Sequence, residues 1–179
     1  MTSTQEQLDR LQNGGAPKAV ELAKLLKAQG KACDLIYSAA DALRNQSVGD
    51  AVHLRGIVEF SNVCKNNCWY CGIRCDNDHV ARYRMSDDEI VQTAKSAKAW
   101  GCGTVVLQSG DDPFFTVDHL SALLRRIKAE ADLAITLSVG VRSREELTAL
   151  KQAGCDRYLL RFETTSNADR KSTRLNSSH

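Results

Sequence analysis

Cys64-Lys-Asn-Asn-Cys68-Trp-Tyr-Cys71 sets three thiols within eight residues, spaced C-x3-C-x2-C. Thiolates bind soft metal centres, and three at this spacing can wrap one 4Fe–4S cubane while leaving its fourth iron without a protein ligand. A four-cysteine cluster only carries electrons, whereas an open iron can bind and activate a small molecule. Two other readings stand beside it. Zinc prefers four ligands, and Cys75 or His79 can supply the fourth. A ferredoxin-type cluster, or another non-enzymatic electron-transfer module, can likewise recruit Cys75. The remaining cysteines, Cys33, Cys102 and Cys155, lie beside apolar segments and are expected to pack as small hydrophobes.

The cysteines need a scaffold, and the flanking sequence describes one. Residues 5–12, 17–29 and 32–44 have helical periodicity and form a lead-in over residues 1–51, the third with Leu35, Ile36, Ala39, Ala40 and Leu43 on one face. From Val52 the texture changes. Residues 53–61 read as a strand and run into the cysteine loop, which lasts to about Met85. Ser86 and Glu89 then make a capping box for a helix whose face carries Ile90, Ala94, Ala97 and Trp100. Strands are expected at 104–108, 133–138 and 157–162. Helices fall near 116–130, with Val117, Leu120, Leu124 and Ile127 inward, and after Ser143, closed by Gly154. Strands alternating with helices mean βαβ units, a parallel sheet and right-handed crossovers. The fold class is therefore α/β. Four such units do not close a barrel, so the region 52–168 is either a small open sheet or half of an eightfold one.

Each strand after the first ends in polar residues that a packed core would not want. The second ends Gln108-Ser109-Gly110-Asp111-Asp112, the third Ser138-Val-Gly140 and the fourth Arg161-Phe-Glu163. With the cysteine loop, chemistry gathers on one rim, the C-terminal ends of parallel strands, where α/β folds bind ligands. Gly110 allows close backbone approach to a ligand. The carbonyls around it can accept from an ammonium, Ser138 can serve a carboxylate or ribose, Glu163 can accept ribose hydroxyls, and Tyr70 can lie along an aromatic base. Bland alternatives exist for some of these: Asp111 and Asp112 before Pro113 as a turn, Arg161 paired with Glu163. Tyr83-Arg84 is expected in a solvated loop, His53 as a structural histidine and His119 on a helix surface.

Composition narrows the partners. The formal charge of +2 is produced by Arg170, Lys171 and Arg174 against Asp169 in the tail, so the rest is balanced and no nucleic-acid partner is implied. The polar start and the lack of any run of roughly 18 apolar residues predict a cytoplasmic chain with no membrane contact. Seven cysteines, three of them clustered, behind a start from which no leader is expected fit a reducing compartment better than a disulfide framework. Residues 169–179 lack a periodic apolar face and resemble a translated sequencing adapter, the alternative being a flexible terminus.

The cysteine motif is that of the radical S-adenosylmethionine (radical SAM) superfamily. Several strings resemble, within it, the [FeFe]-hydrogenase maturase HydE family: Leu54-Arg-Gly-Ile-Val-Glu-Phe-Ser-Asn62, Cys64 to Arg74, Arg82-Tyr-Arg-Met85, Val106 to Phe115, Thr136 to Gly140 and Asp156 to Glu163. Biotin synthase and methylornithine synthase share the architecture and are the alternatives. The resemblance implies a (β/α)8 TIM-type barrel, of which this chain supplies the N-terminal half. It implies a cluster on Cys64, Cys68 and Cys71, and S-adenosylmethionine chelated to the open iron and cleaved to a 5′-deoxyadenosyl radical. It puts Ser109, Ser138, Arg161 and Glu163 at cofactor or substrate contacts. The implied partners are a small-molecule or iron-complex substrate, a low-potential electron donor and other hydrogenase maturases. Asp111 stands where that family usually has Glu, Val141 where an acidic residue is expected, and Cys75 where a basic one is common. Half a barrel is expected to be poorly stable and inactive alone.

Overall fold

A computed structural model describes residues 3–161. The expected tail at 169–179, Glu163 and the end of the expected fourth strand lie outside them. The chain divides into two compact units, one up to Val52 and one from His53 onward.

The first unit holds α1 (Thr4–Gln12), α2 (Ala19–Leu26) and α3 (Lys31–Val48). Ser3 and Glu6 cap α1 reciprocally, each side chain taking the other's backbone N–H. Arg10 of α1 pairs with Glu21 of α2. The second helix is shorter than its periodicity predicts, and Gly30, at φ 53°, caps α3 instead of closing α2. No residue of α3 is buried, and Leu35 and Leu43 of its expected inner face are largely exposed.

In the second unit β1 (Arg55–Ser61), β2 (Thr104–Ser109), β3 (Ala134–Ser138) and β4 (Arg157–Tyr158) form one parallel sheet in the order β1-β2-β3-β4. Between them run α4 (Asp87–Ala99), α5 (Val117–Ala131) and α6 (Arg144–Gln152). Ser86–Glu89 and Ser143–Glu146 capping boxes start α4 and α6, and the Thr116 hydroxyl caps α5. Val58 and Phe60, Val105 and Leu107, Ile135 and Leu137 alternate along their strands and are buried in one core with Ile90, Ala94, Leu120, Leu124 and Ile127 of the helices. Trp100 is not part of that face. It lies one residue past α4 and is 76% exposed. Within the described residues β4 has two residues, fewer than its sequence predicts.

The alternation in β1 breaks at its end, where Phe60 and Ser61 are both buried. Glu59 pairs with Gln108 and Ser61 with Ser109, so Phe60 is an extra residue, a bulge that turns the Ser61 side chain inward. The bulge prepares the site.

Candidate functional site

The C-terminal ends of the strands open on one cavity of about 400 Å³. Cys64, Cys68, Cys71 and Tyr70 of the loop after β1 line one side of it. Gln108, Ser109, Gly110 and Asp111 line the β2 end, and Ser138 and Arg161 lie along β3 and after β4. Ten of the eleven site residues expected from sequence thus share this cavity, and Glu163 lies outside the described residues. Cys75 is exposed and is not in the lining. Its Sγ donates to Asp76 Oδ1 at 3.4 Å.

The cysteine loop is stitched to the end of β2. The Lys65 N–H donates to the Asp111 carbonyl at 3.0 Å, and the Gly110 N–H to the Ser61 carbonyl at 3.2 Å. The backbone N–H groups of Asn66 and Asp111 both donate to Cys64 Sγ at 3.4 Å. Two donors aimed at one sulfur fix where that sulfur sits in the cavity. Gly110 has no room for a side chain, since a Cβ there would lie 2.2 Å from the Val63 carbonyl oxygen and 2.8 Å from Cys64 Cβ. Its close approach is to the cysteine loop, whereas its place in the sequence suggested a ligand. The carbonyls near it are also partly engaged, Asp111's by Lys65 and Gly110's by the Ser109 hydroxyl at 2.6 Å.

The two aspartates have separate tasks. Asp112 is fully buried and is held by Arg84 Nε and Nη2 at 2.7 and 3.0 Å, by the Ser61 hydroxyl at 2.7 Å and by the Phe114 N–H at 3.0 Å. Burial pushes its carboxyl up, but the hydrogen bonds from Arg84, Ser61 and Phe114 win, and it is held below the ordinary carboxylate range. Arg84 also lies over the Phe114 ring at 5.0 Å. The segment expected as a solvated loop is therefore an anchor. Asp111 faces differently: Oδ2 accepts from Asn66 Nδ2 at 3.2 Å, while buried Oδ1 has no hydrogen bond, only Lys65 Nζ at 3.4 Å.

Two further residues carry no sequence signal and belong to the site's surroundings. Glu59 lines the cavity and takes a hydrogen bond from Gln108 Nε2 at 3.0 Å. Tyr158 donates from its hydroxyl to the Gly140 carbonyl at 2.8 Å. Burial, more than its charged neighbours, pushes its phenol to about 12, so it stays a neutral donor. His119 is not a free surface histidine, since its Nε2 sits 2.8 Å from Asp87 and its ring lies against Phe115. His53 falls before β1 and is exposed.

The donor set suits a three-thiolate cluster. The three thiols share a cavity without converging on one point. Among the described residues no three His, Cys, Asp or Glu side chains are close enough together to hold a single ion, and a cubane takes each thiolate on a different iron. The rest of the cavity supplies oxygen acceptors and one guanidinium, groups able to hold a zwitterionic ligand beside such a cluster.

The Radical SAM superfamily model matches residues 58–178. The [FeFe] hydrogenase maturase subunit HydE of Thermotoga maritima is 48% identical over 133 residues, 74% of this chain and 38% of that protein. The 3-methylornithine synthase of Methanosarcina acetivorans is 34% identical over 72% of this chain and 37% of its own length. The crystal structure of methylornithine synthase aligns at a TM-score of 0.82 and 29% identity, covering 96% of this chain and 52% of that one. The maturase HydG from Carboxydothermus hydrogenoformans aligns at 0.80 and 24% identity, a likeness of fold. The chain thus spans about two-fifths of the length of these curated relatives, and its sheet is the N-terminal part of their barrel.

Proposed function

The chain belongs to the radical SAM superfamily, whose enzymes use a 4Fe–4S cluster and S-adenosylmethionine, and from that premise we propose that it is the cluster-bearing part of a HydE-like hydrogenase maturase. The observation that carries this is that one cavity is lined by the strand ends and by all three thiols. When bound, the reduced cluster supplies the electron that cleaves S-adenosylmethionine to a hydrogen-abstracting radical. This chain's residues hold and orient. Cys64, Cys68 and Cys71 hold the cluster, with the Asn66 and Asp111 N–H groups steadying the Cys64 sulfur. Asp111, whose buried Oδ1 lacks a hydrogen bond, accepts from the ammonium of the cofactor, and Gln108, Ser109 and the Gly110 backbone extend that edge. Ser138, Arg161 and Glu163 contact the carboxylate and ribose or the substrate, and Tyr70 lies along the adenine.

The reading takes residues 1–51 as a helical lead-in, 52–168 as the partial barrel and 169–179 as a tail. The substrate is a small molecule or iron complex, the electron comes from a low-potential donor, other hydrogenase maturases are the working partners, and the setting is cytoplasmic. Among the described residues no helix is long and apolar enough to cross a membrane. A methylornithine-synthase-like reaction is the second reading, favoured by the backbone likeness.

The test is anaerobic iron reconstitution followed by EPR of the dithionite-reduced chain, with and without S-adenosylmethionine. A 4Fe–4S signal that changes shape on adding the cofactor is expected. A signal indifferent to it, that is lost in Cys75→Ala, would replace this reading with a four-cysteine electron-transfer site.

A further inference from the structure

The cysteine loop leaves the sheet at Asn62 and returns at Tyr83, and one side chain closes its neck. Arg82 Nη1 donates to the Asn62 carbonyl at 2.7 Å and the Ile73 carbonyl at 2.9 Å. Its Nη2 donates to the carbonyls of Arg74 at 2.6 Å and Asn77 at 3.0 Å. Asn62 works the same neck from the other strand, donating from Nδ2 to the Ala81 carbonyl at 2.8 Å and accepting the Tyr83 N–H at 2.8 Å on Oδ1. No carboxylate pairs with Arg82 among the described residues. Each of its four partners is a backbone oxygen in an irregular loop, where the strand ladder supplies no donor.

We propose that Arg82 is a positioning residue for the cluster, acting on the loop and not on the metal. Its guanidinium fastens the chain just before Cys64, at Asn62, to the chain just after Cys71, at Ile73 and Arg74, and so fixes the span across which the three thiols face the cavity. The fork is what the task requires. Of the two terminal nitrogens, held in one plane, Nη1 meets one carbonyl from each side of the neck and Nη2 meets two more from the side after Cys71, whereas a lysine ammonium is a single point on a flexible stem. Groups that orient ligands without bonding the metal typically change affinity by roughly 10- to 100-fold when removed. The inference rests on the reading that Cys64, Cys68 and Cys71 hold the cluster.

The test compares the wild-type chain with Arg82→Lys and Arg82→Ala, each reconstituted anaerobically with iron and sulfide. Decay of the cluster absorbance is followed after adding EDTA. A second measurement needs no metal: limited trypsin digestion of the iron-free chains, scored at Lys65 and Arg74 inside the loop. Both variants are expected to lose the cluster about 10- to 100-fold faster and to be cut faster at those two bonds, with lysine no better than alanine and the thermal midpoint unchanged. Equal cluster lifetimes would overturn the proposal, as would cleavage that accelerates equally at sites across the whole chain. A wild-type chain that binds no iron would overturn the cluster reading itself and the clamp with it.

Discussion

At the scale of single residues the buried carboxylate of Asp112 is the most consequential group outside the thiols. It ties the bulged end of β1, through Ser61, to the return of the cysteine loop, through Arg84, and to the start of the β2–α5 turn, through Phe114. Removing a buried, multiply bonded charge leaves its donors unsatisfied, and Asp112→Ala is expected to cost about 3 kcal/mol of unfolding free energy at pH 7. The pH dependence follows from the direction of its shift. A carboxyl held below its ordinary value contributes stability that is complete above the unfolded value, near 3.9, and is lost as pH falls through the lower folded value. Urea unfolding across a pH series should therefore show the gap between wild type and Asp112→Ala constant at neutral pH and narrowing below about pH 4. A gap that stays fixed down to pH 2 would mean the charge is not what stabilises the anchor.

At the scale of elements the strands and the gathering of polar residues at their C-terminal ends were legible, and the packing between them was not. The apolar runs at 53–61, 104–108 and 133–138, the capping signals at Ser86 and Ser143 and the apolar face of 116–130 are enough to place β1–β3 and α4–α6. Periodicity could not reveal the bulge at Phe60, because a single register shift leaves composition unchanged and shows only as two successive buried residues. It could not assign Arg82 or Arg84 either, since Arg82 binds backbone carbonyls of an irregular loop, which have no side-chain signature, and the Asp112 partner of Arg84 lies far away in sequence. In the first unit an amphipathic pattern in α3 overstated burial, because a helix face has a core only where something packs on it. Two glycines test the contact between β2 and the cysteine loop. Gly110→Ala would drive a methyl into the Val63 carbonyl, and it should lower stability by at least about 2 kcal/mol and slow iron uptake. Gly103→Ala, at the entry to the same strand, meets nothing within 4 Å and should stay within about 0.5 kcal/mol of wild type. Thermal melts followed by circular dichroism, with iron content measured after reconstitution, separate the two. Equal effects would mean that β2 and the loop are not in tight contact.

At the scale of the whole molecule the sheet has two unlike faces. The helices cover the face carrying Val58, Val105 and Ile135, whereas Ile57 on β1 is 63% exposed, and Leu54, Leu159 and Leu160 at the strand ends are exposed too. Among the described residues β4 pairs on one side only, and the outer side of β1 is paired only at its C-terminal end, where Ser61 bridges to Arg84, so β4 and the start of β1 present unpaired backbone groups beside apolar side chains. Such edges template pairing with further copies, and their exposed apolar groups add a driving force. The isolated chain is therefore expected to associate as its concentration rises, and light scattering on a sizing column should give an apparent mass above the 19.7 kDa of one copy. Ile57→Lys replaces the apolar group with a charge at that edge. Burying an isoleucine contributes about 1.5 to 3 kcal/mol, so the variant should need roughly 10- to 150-fold more protein to associate, with its thermal midpoint unchanged because the side chain packs on nothing in the core. A wild-type chain that stays monomeric at every concentration would show that the exposed face is already satisfied within one copy, and association unaltered by Ile57→Lys would move the contact to the β4 edge at Leu159 and Leu160.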